Sequence, residues 1–264
     1  MFSSCYAVLQ TAELLQEILL QLDMRTLLTA AQLVNRQWHA LITSSPPLKR
    51  ALYFDPIAQS SSPATINPLL VEAFPPWYQI AEQLVRKEDF HGLPMAQESR
   101  RPAFMNLSAS WRHMLVQQPP SLRLGYWTLS HTRTNSFQDF QIQEFPDGLR
   151  MGTFYDLPQK WVYQDDSAFN VFWDPRNVNV DWNSSHSHRF QPEKKAEIES
   201  FSSQAGNIIL LCCVPTHTTH TTRCTCTRKS PDSRFEETFT FAPSKEKQDN
   251  WKETREYRQE ALTG

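Results

Sequence analysis

Glycine is scarce, with six residues in 264, and no two of them stand at G-x-G or P-loop spacing. A glycine-rich loop cradling a phosphate is therefore not expected. No stretch reaches the ~18 consecutive apolar residues of a membrane-spanning helix, so no membrane partner is expected. Neither sign of charge dominates: 26 Lys and Arg against 28 Asp and Glu leave −2. That balance, without a basic face interleaved with aromatics, argues against nucleic acid as a partner. The nucleophile elbow G-x-S-x-G and the zinc-protease motif H-E-x-x-H are missing, and no repeat period of the WD40 or leucine-rich kind is visible. Cysteine is limited to Cys5, Cys212, Cys213, Cys224 and Cys226. An odd count bunched late in the chain fits a reducing compartment better than a disulfide framework. The opening MFSSCYAVLQTAELL also lacks the basic start and apolar run of a signal peptide, so a cytoplasmic or nuclear setting is expected. In that setting the glycosylation triplets at Asn106 and Asn183 carry no meaning.

What the chain does have is a dense apolar stretch near its start, ELLQEILLQLDMRTLLTAAQLVNRQWHALITSS, from Glu13 to Ser45. Its spacing predicts three short helices. Leu14, Leu15, Ile18, Leu19 and Leu22 fall on one side of a 3.6-residue period, opposite Glu13, Gln16, Glu17 and Gln21. Asp23 is placed to cap a second helix carrying Leu27, Leu28 and Ala31. Asn35 is placed to cap a third, with Val34, Trp38, Leu41 and Ile42 on a common side. Pro46 and Pro47 follow, where a helix cannot continue. From Leu14 to Ile42, 17 of 29 positions are apolar, more than the three or four per two turns that a helix commonly gives its own core. A unit of ~40 residues also buries little of its surface unaided. The surplus, including Leu20, Met24 and Leu33, requires a second surface, from this chain or from another protein.

These residues resemble an F-box, in particular that of a large filamentous-fungal group. Glu13, Leu14, Leu15, Ile18, Leu19, Leu22, Leu27, Leu28, Val34, Arg36 and Trp38 stand in the order of the family pattern. Ala12 stands where the family usually has proline, with Thr11 as a possible cap, and Asn35 where cysteine is common; neither change removes an apolar contact. The resemblance implies that Leu14, Leu15, Ile18, Leu19, Leu22, Leu27, Leu28, Val34 and Trp38 dock onto the Skp adaptor of an SCF-type (Skp-Cullin-F-box) ubiquitin ligase, and through it reach a cullin. The rest of the chain would then hold a protein substrate whose identity the sequence does not encode.

The expected architecture is α+β: an F-box over 1–55, a linker and irregular segment over 56–99, a small α+β region over 100–214, and a low-complexity, mostly disordered tail over 215–264. Leu48 to Phe54 is expected to continue as a short amphipathic piece, and the serine- and proline-rich Asp55 to Pro68 as a linker. Leu69 to Ile80, broken by Pro75 and Pro76, reads as a surface-hugging segment. Phe104, Leu107, Trp111, Met114 and Leu115 predict a helix from Ala103 to Gln118, capped by Ser108 or Ser110 and ended by Pro119. Arg100, Arg101 and Arg112 around it read as a solvated face. Leu122 to Leu129 is a strand candidate, Ser130 to Phe140 a loop, and Gln141 to Phe145 a weakly pairing segment. The segment from Asp147 to Leu157 resembles a second helix of the fungal group, stopped by Pro158. Trp161 to Tyr163, Ala168 to Trp173, Asn177 to Trp182 and Ile208 to Val214 read as short strands.

Candidate chemistry is thin. Cys212, Cys213, His217, His220, Cys224 and Cys226 are the sharpest metal candidates, since zinc prefers Cys and His in tetrahedral sets. Adjacent Cys212 and Cys213 would point to opposite strand faces, however, and Cys224-x-Cys226 is tighter than structural zinc spacing. No cofactor is expected. Asp181, His186 and His188 in a serine-rich loop, and the pair Asp165-Asp166, are weak constellations. Trp and Phe (8 and 16 residues) read as core more readily than as a ligand pocket. The reading is a non-catalytic interaction protein. Its competitors are an F-box scaffold outside ubiquitination, separable by a cullin pull-down, and a ligand-binding domain that carries an F-box, which would show a polar-lined pocket.

Overall fold

Asp23 and Asn35 begin helices as their short acceptor side chains dictate. The Asp23 carboxylate accepts from the Thr26 amide at 2.9 Å and the Thr26 hydroxyl at 2.6 Å. Asn35 Oδ1 accepts from the Trp38 amide at 2.9 Å. A computed structural model describes residues 8–58, 63–78, 84–131, 136–162, 167–174 and 192–215. Helix α1 is Ala12–Leu19. Helix α2 runs through Met24–Thr26, a π turn at Leu27–Ala31, and Gln32–Val34. Helix α3 is Arg36–Ser44. Thr11 holds the cap position of α1, but its side chain makes no cap hydrogen bond. Proline does stop α3, and Pro46 then opens α4, Pro46–Ala51, because a first-turn residue needs no amide.

Helix α4 closes with Tyr53 at φ 61°, the Phe54 amide on the Lys49 carbonyl (2.8 Å) and the Tyr53 amide on the Arg50 carbonyl (3.0 Å). This is a Schellman closure with tyrosine where glycine is usual. The left-handed backbone costs roughly 1–2 kcal/mol, offset by burial of the Tyr53 ring, 8% exposed.

Beyond α4 lie β1 (Thr65–Ile66), α5 (Pro68–Ala73), α6 (Pro75–Tyr78) and β2 (Val85–Arg86). Then come α7 (Arg101–Met105), α8 (Ser110–His113), β3 (Gln117–Gln118), β4 (Arg123–His131) and β5 (Ser136–Glu144). The described chain ends with α9 (Met151–Val162), β6 (Ala168–Phe172), α10 (Pro192–Gln204) and β7 (Ile209–Pro215). A five-stranded mixed sheet has the order β2-β6-β7-β4-β5. Only β4 and β7 run parallel; the other neighbours are antiparallel. The chain is thus mixed helix and sheet, as expected, and the described residues fall in one unit, Met1–Thr218. No helix among them is long and apolar enough to cross a membrane.

Both faces of the sheet are covered, so central strands are apolar throughout rather than alternating. On one face Trp127, Leu129, Ile209 and Leu211 pack with Ile198 and Phe201 of α10 and with Ala205 just past its end. At Gly125 the helix comes so close that an added Cβ would lie 2.5 Å from Ala205 Cβ. On the other face Trp77, wholly buried, lies 5.0 Å from Tyr155 in a stacked pair and 5.3 Å from Phe169.

Several expected elements differ. The 103–118 helix is two short pieces, α7 and α8, because Asn106 Oδ1 takes the Ser108 amide (2.9 Å) and turns the chain. Leu107 consequently points outward at 64% exposure, and neither Ser108 nor Ser110 is the cap, a position held by Ala109. Arg112 is not solvated: it is 8% exposed, paired with Asp156, and 5.0 Å from the Trp111 ring. Pro158 lies inside α9, and Trp161 and Val162 complete that helix where a strand was expected to start. The expected surface segment supplies buried core through Leu70, Phe74, Trp77 and Tyr78. The linker contains β1, paired with β3. Ser130, His131 and Ser136 to Phe140, expected as loop, are strand residues, and 141–144 belong to a nine-pair ladder between β4 and β5.

Candidate functional site

A helix turns ~100° per residue, so neighbouring leucines part company. Leu15 and Leu19 are fully buried. With Leu27, Ala31, Ile42, Leu48 and Leu52 they form one hydrophobic cluster inside the helical segment itself. Leu14 and Ile18, one residue earlier in each pair, stand 47% and 40% exposed. Leu22, Leu28 and Trp38 lie half-buried against the cluster rim. Val34 is 57% exposed and Leu33 83%. The nine expected docking residues therefore divide. Leu15, Leu19 and Leu27 hold the helices to one another and are corrected to core. Leu14, Ile18 and Val34 face outward. Val34 does not share a side with Trp38 and Ile42, because extended Asn35 (φ −165°, ψ 173°) breaks the helix between them.

The segment is anchored around that face. Ser45 Oγ donates to Gln16 Oε1 at 2.6 Å. Arg25 and Glu72 form a 2.6 Å ion pair between α2 and α5, a surface pair of little energetic weight. The Thr26 hydroxyl, and then its amide, hold the Asp23 carboxyl below the usual carboxylate range. A depressed folded value contributes stability above the unfolded range near ~3.9, which is lost as pH falls through the lowered value. The Thr26 amide is expected to lose hydrogen-exchange protection on acidification below that range, and Asp23→Ala to abolish the dependence.

A short hub joins these helices to the sheet-bearing body. The Leu115 amide donates to the Tyr53 carbonyl (2.7 Å), the Asn67 amide to Val116 (3.0 Å), the Val116 amide to Leu149 (3.1 Å) and the Met151 amide to Met114 (2.8 Å). Gln118 Nε2 donates to the carbonyls of Arg50 (2.9 Å) and Asp55 (3.0 Å).

Of the metal candidates, Cys212 and Cys213 are buried in β7, Cys212 fully and Cys213 at 9% exposure. Burial pushes both thiols up, Cys213 to about 12, which disfavours the thiolate a metal needs. Among the described residues no group of three or more His, Cys, Asp or Glu could hold a metal ion. His217, His220, Cys224 and Cys226, the trio Asp181, His186 and His188, the pair Asp165-Asp166, the strand expected from Asn177 to Trp182 and the expected disordered tail lie outside the described residues. Helix α10 was not anticipated. Its signals are Pro192 at the first helical position and Ile198 and Phe201 at helical spacing, set among charged residues. In comparisons with known proteins, the chain matches no family model, no curated protein and no solved structure.

Proposed function

We propose that this chain is a non-catalytic adaptor of F-box type. Its N-terminal helices dock onto the Skp subunit of an SCF-type ubiquitin ligase, and its sheet-bearing body holds a protein substrate. The observation that carries the reading is the outward apolar set Leu14, Ile18, Leu33 and Val34, left over after the helices have built a complete core. Apolar side chains clustered on one small segment mark a surface that a partner covers. Leu22, Leu28 and Trp38 would extend the contact at its rim. The mechanism is proximity: tethering raises the effective concentration of substrate lysines beside the charged ubiquitin carrier.

The test is the double variant Leu14→Asp, Ile18→Asp. Both positions are exposed, so thermal unfolding is expected to stay within a few degrees of the parent. Affinity for purified Skp subunit is expected to fall about 100-fold or more, the scale of losing two interface anchors. Unchanged capture by an intact double variant refutes the reading. A chain that binds the Skp subunit yet recovers no cullin would be a scaffold outside ubiquitination.

A further inference from the structure

A cleft of about 440 Å³ lies between the first helices and the body, with Ile42, Leu52 and Phe54 giving it an apolar lining. Its polar lining is Gln32, Thr43, Lys49, Asp55, Ser108, Ser110, His113 and Arg150. Lys49 Nζ is 2.8 Å from Asp55 Oδ1, so those two charges cancel locally. Arg150 has no carboxylate partner among the described residues. One of its terminal nitrogens donates to the Phe54 carbonyl at 3.2 Å and also to the His113 carbonyl. Those bonds fix the guanidinium in place and leave its charge uncompensated. The side chains of Gln32, Ser108, Ser110 and His113 make no hydrogen bond of their own among the described residues.

We propose that this cleft binds a small phosphate monoester, its head on Arg150, His113 and the two serine hydroxyls and its apolar body against Leu52 and Phe54. A guanidinium held by two carbonyls lines the same cleft as two serine hydroxyls and an imidazole, and a phosphate head with three acceptor oxygens can engage more of these donors than a carboxylate can. The volume lies in the usual range for small-molecule sites, roughly 300–1,000 Å³. The site stands independently of the docking role argued above.

Phenyl phosphate titrated into the full chain and followed by ³¹P line broadening tests it. Saturable binding in the millimolar range or tighter is expected, with benzoate, phenol and inorganic phosphate each weaker by about tenfold. Arg150→Met is expected to abolish the broadening. Because Arg150 also pins two carbonyls, the double variant Ser110→Ala, His113→Gln, both exposed, carries the test in an intact fold. Binding weakened about threefold or more, with the unfolding temperature unchanged, supports the site. A smaller change, no saturation with phenyl phosphate, or benzoate binding as tightly overturns it.

Discussion

Trp77→Ala is expected to be among the most damaging single substitutions, costing ~3–5 kcal/mol as a buried aromatic is deleted. Two losses combine. The indole is fully buried and touches Phe74, Tyr155, Phe90 and Phe169. Its Nε1 also donates to the Phe154 carbonyl at 3.1 Å. That carbonyl is the one Pro158 leaves without an amide donor, four residues along the helix. Removing the indole opens a cavity and strands a buried acceptor, which alone costs ~1–3 kcal/mol. For a body of this size the melting temperature should fall on the order of 10 °C. Calorimetry measures it, and a second substitution separates the two losses. Pro158→Ala restores an amide to α9, so it should recover part of the deficit in the Trp77→Ala background. No recovery would mean that the hydrogen bond contributes little.

Leu15→Ala is expected to cost ~2–5 kcal/mol, the range for leucine truncation in a core. Leu14→Ala, its immediate neighbour, should stay within ~0.5 kcal/mol, the range for surface changes. The contrast follows from 0% against 47% exposure. Urea unfolding of the two variants decides it. Equal costs would mean that the inward and outward stripes of α1 are wrongly assigned. The pair also guards the docking experiment, since a charge at Leu15 would abolish capture simply by unfolding the helices.

Local rules made part of this structure legible. Asp23 and Asn35 announced two helix starts, since a cap needs only a neighbouring amide. Ile208 to Val214 announced a buried strand, since a strand covered on both faces reads as an unbroken apolar run. What failed turned on distant partners or on competing turn chemistry. Proline predicted the end of a helix at Pro158, but a tryptophan 81 positions earlier in the chain takes the freed carbonyl. The 103–118 stripe had helical period, but Asn106 bonded the Ser108 amide and local turn chemistry won. The docking set was legible as a group and not residue by residue. Periodicity placed Leu14, Leu15, Ile18 and Leu19 on one broad side, and only packing against Ile42, Leu48 and Leu52 divided it. The cleft drew on residues from 32 to 150, which no local pattern unites.

The hub at Met114 to Gln118 has a mechanical consequence. With the Tyr53 carbonyl clamped to Leu115 and the Gln118 amide gripping Arg50 and Asp55, the leading helices are bolted to the body rather than strung from it. Whatever settles on Leu14 and Ile18 would therefore meet the sheet at one bearing and one reach, as with a bracket and not a leash. Cutting the chain after residue 55 would strip both fragments of main-chain partners.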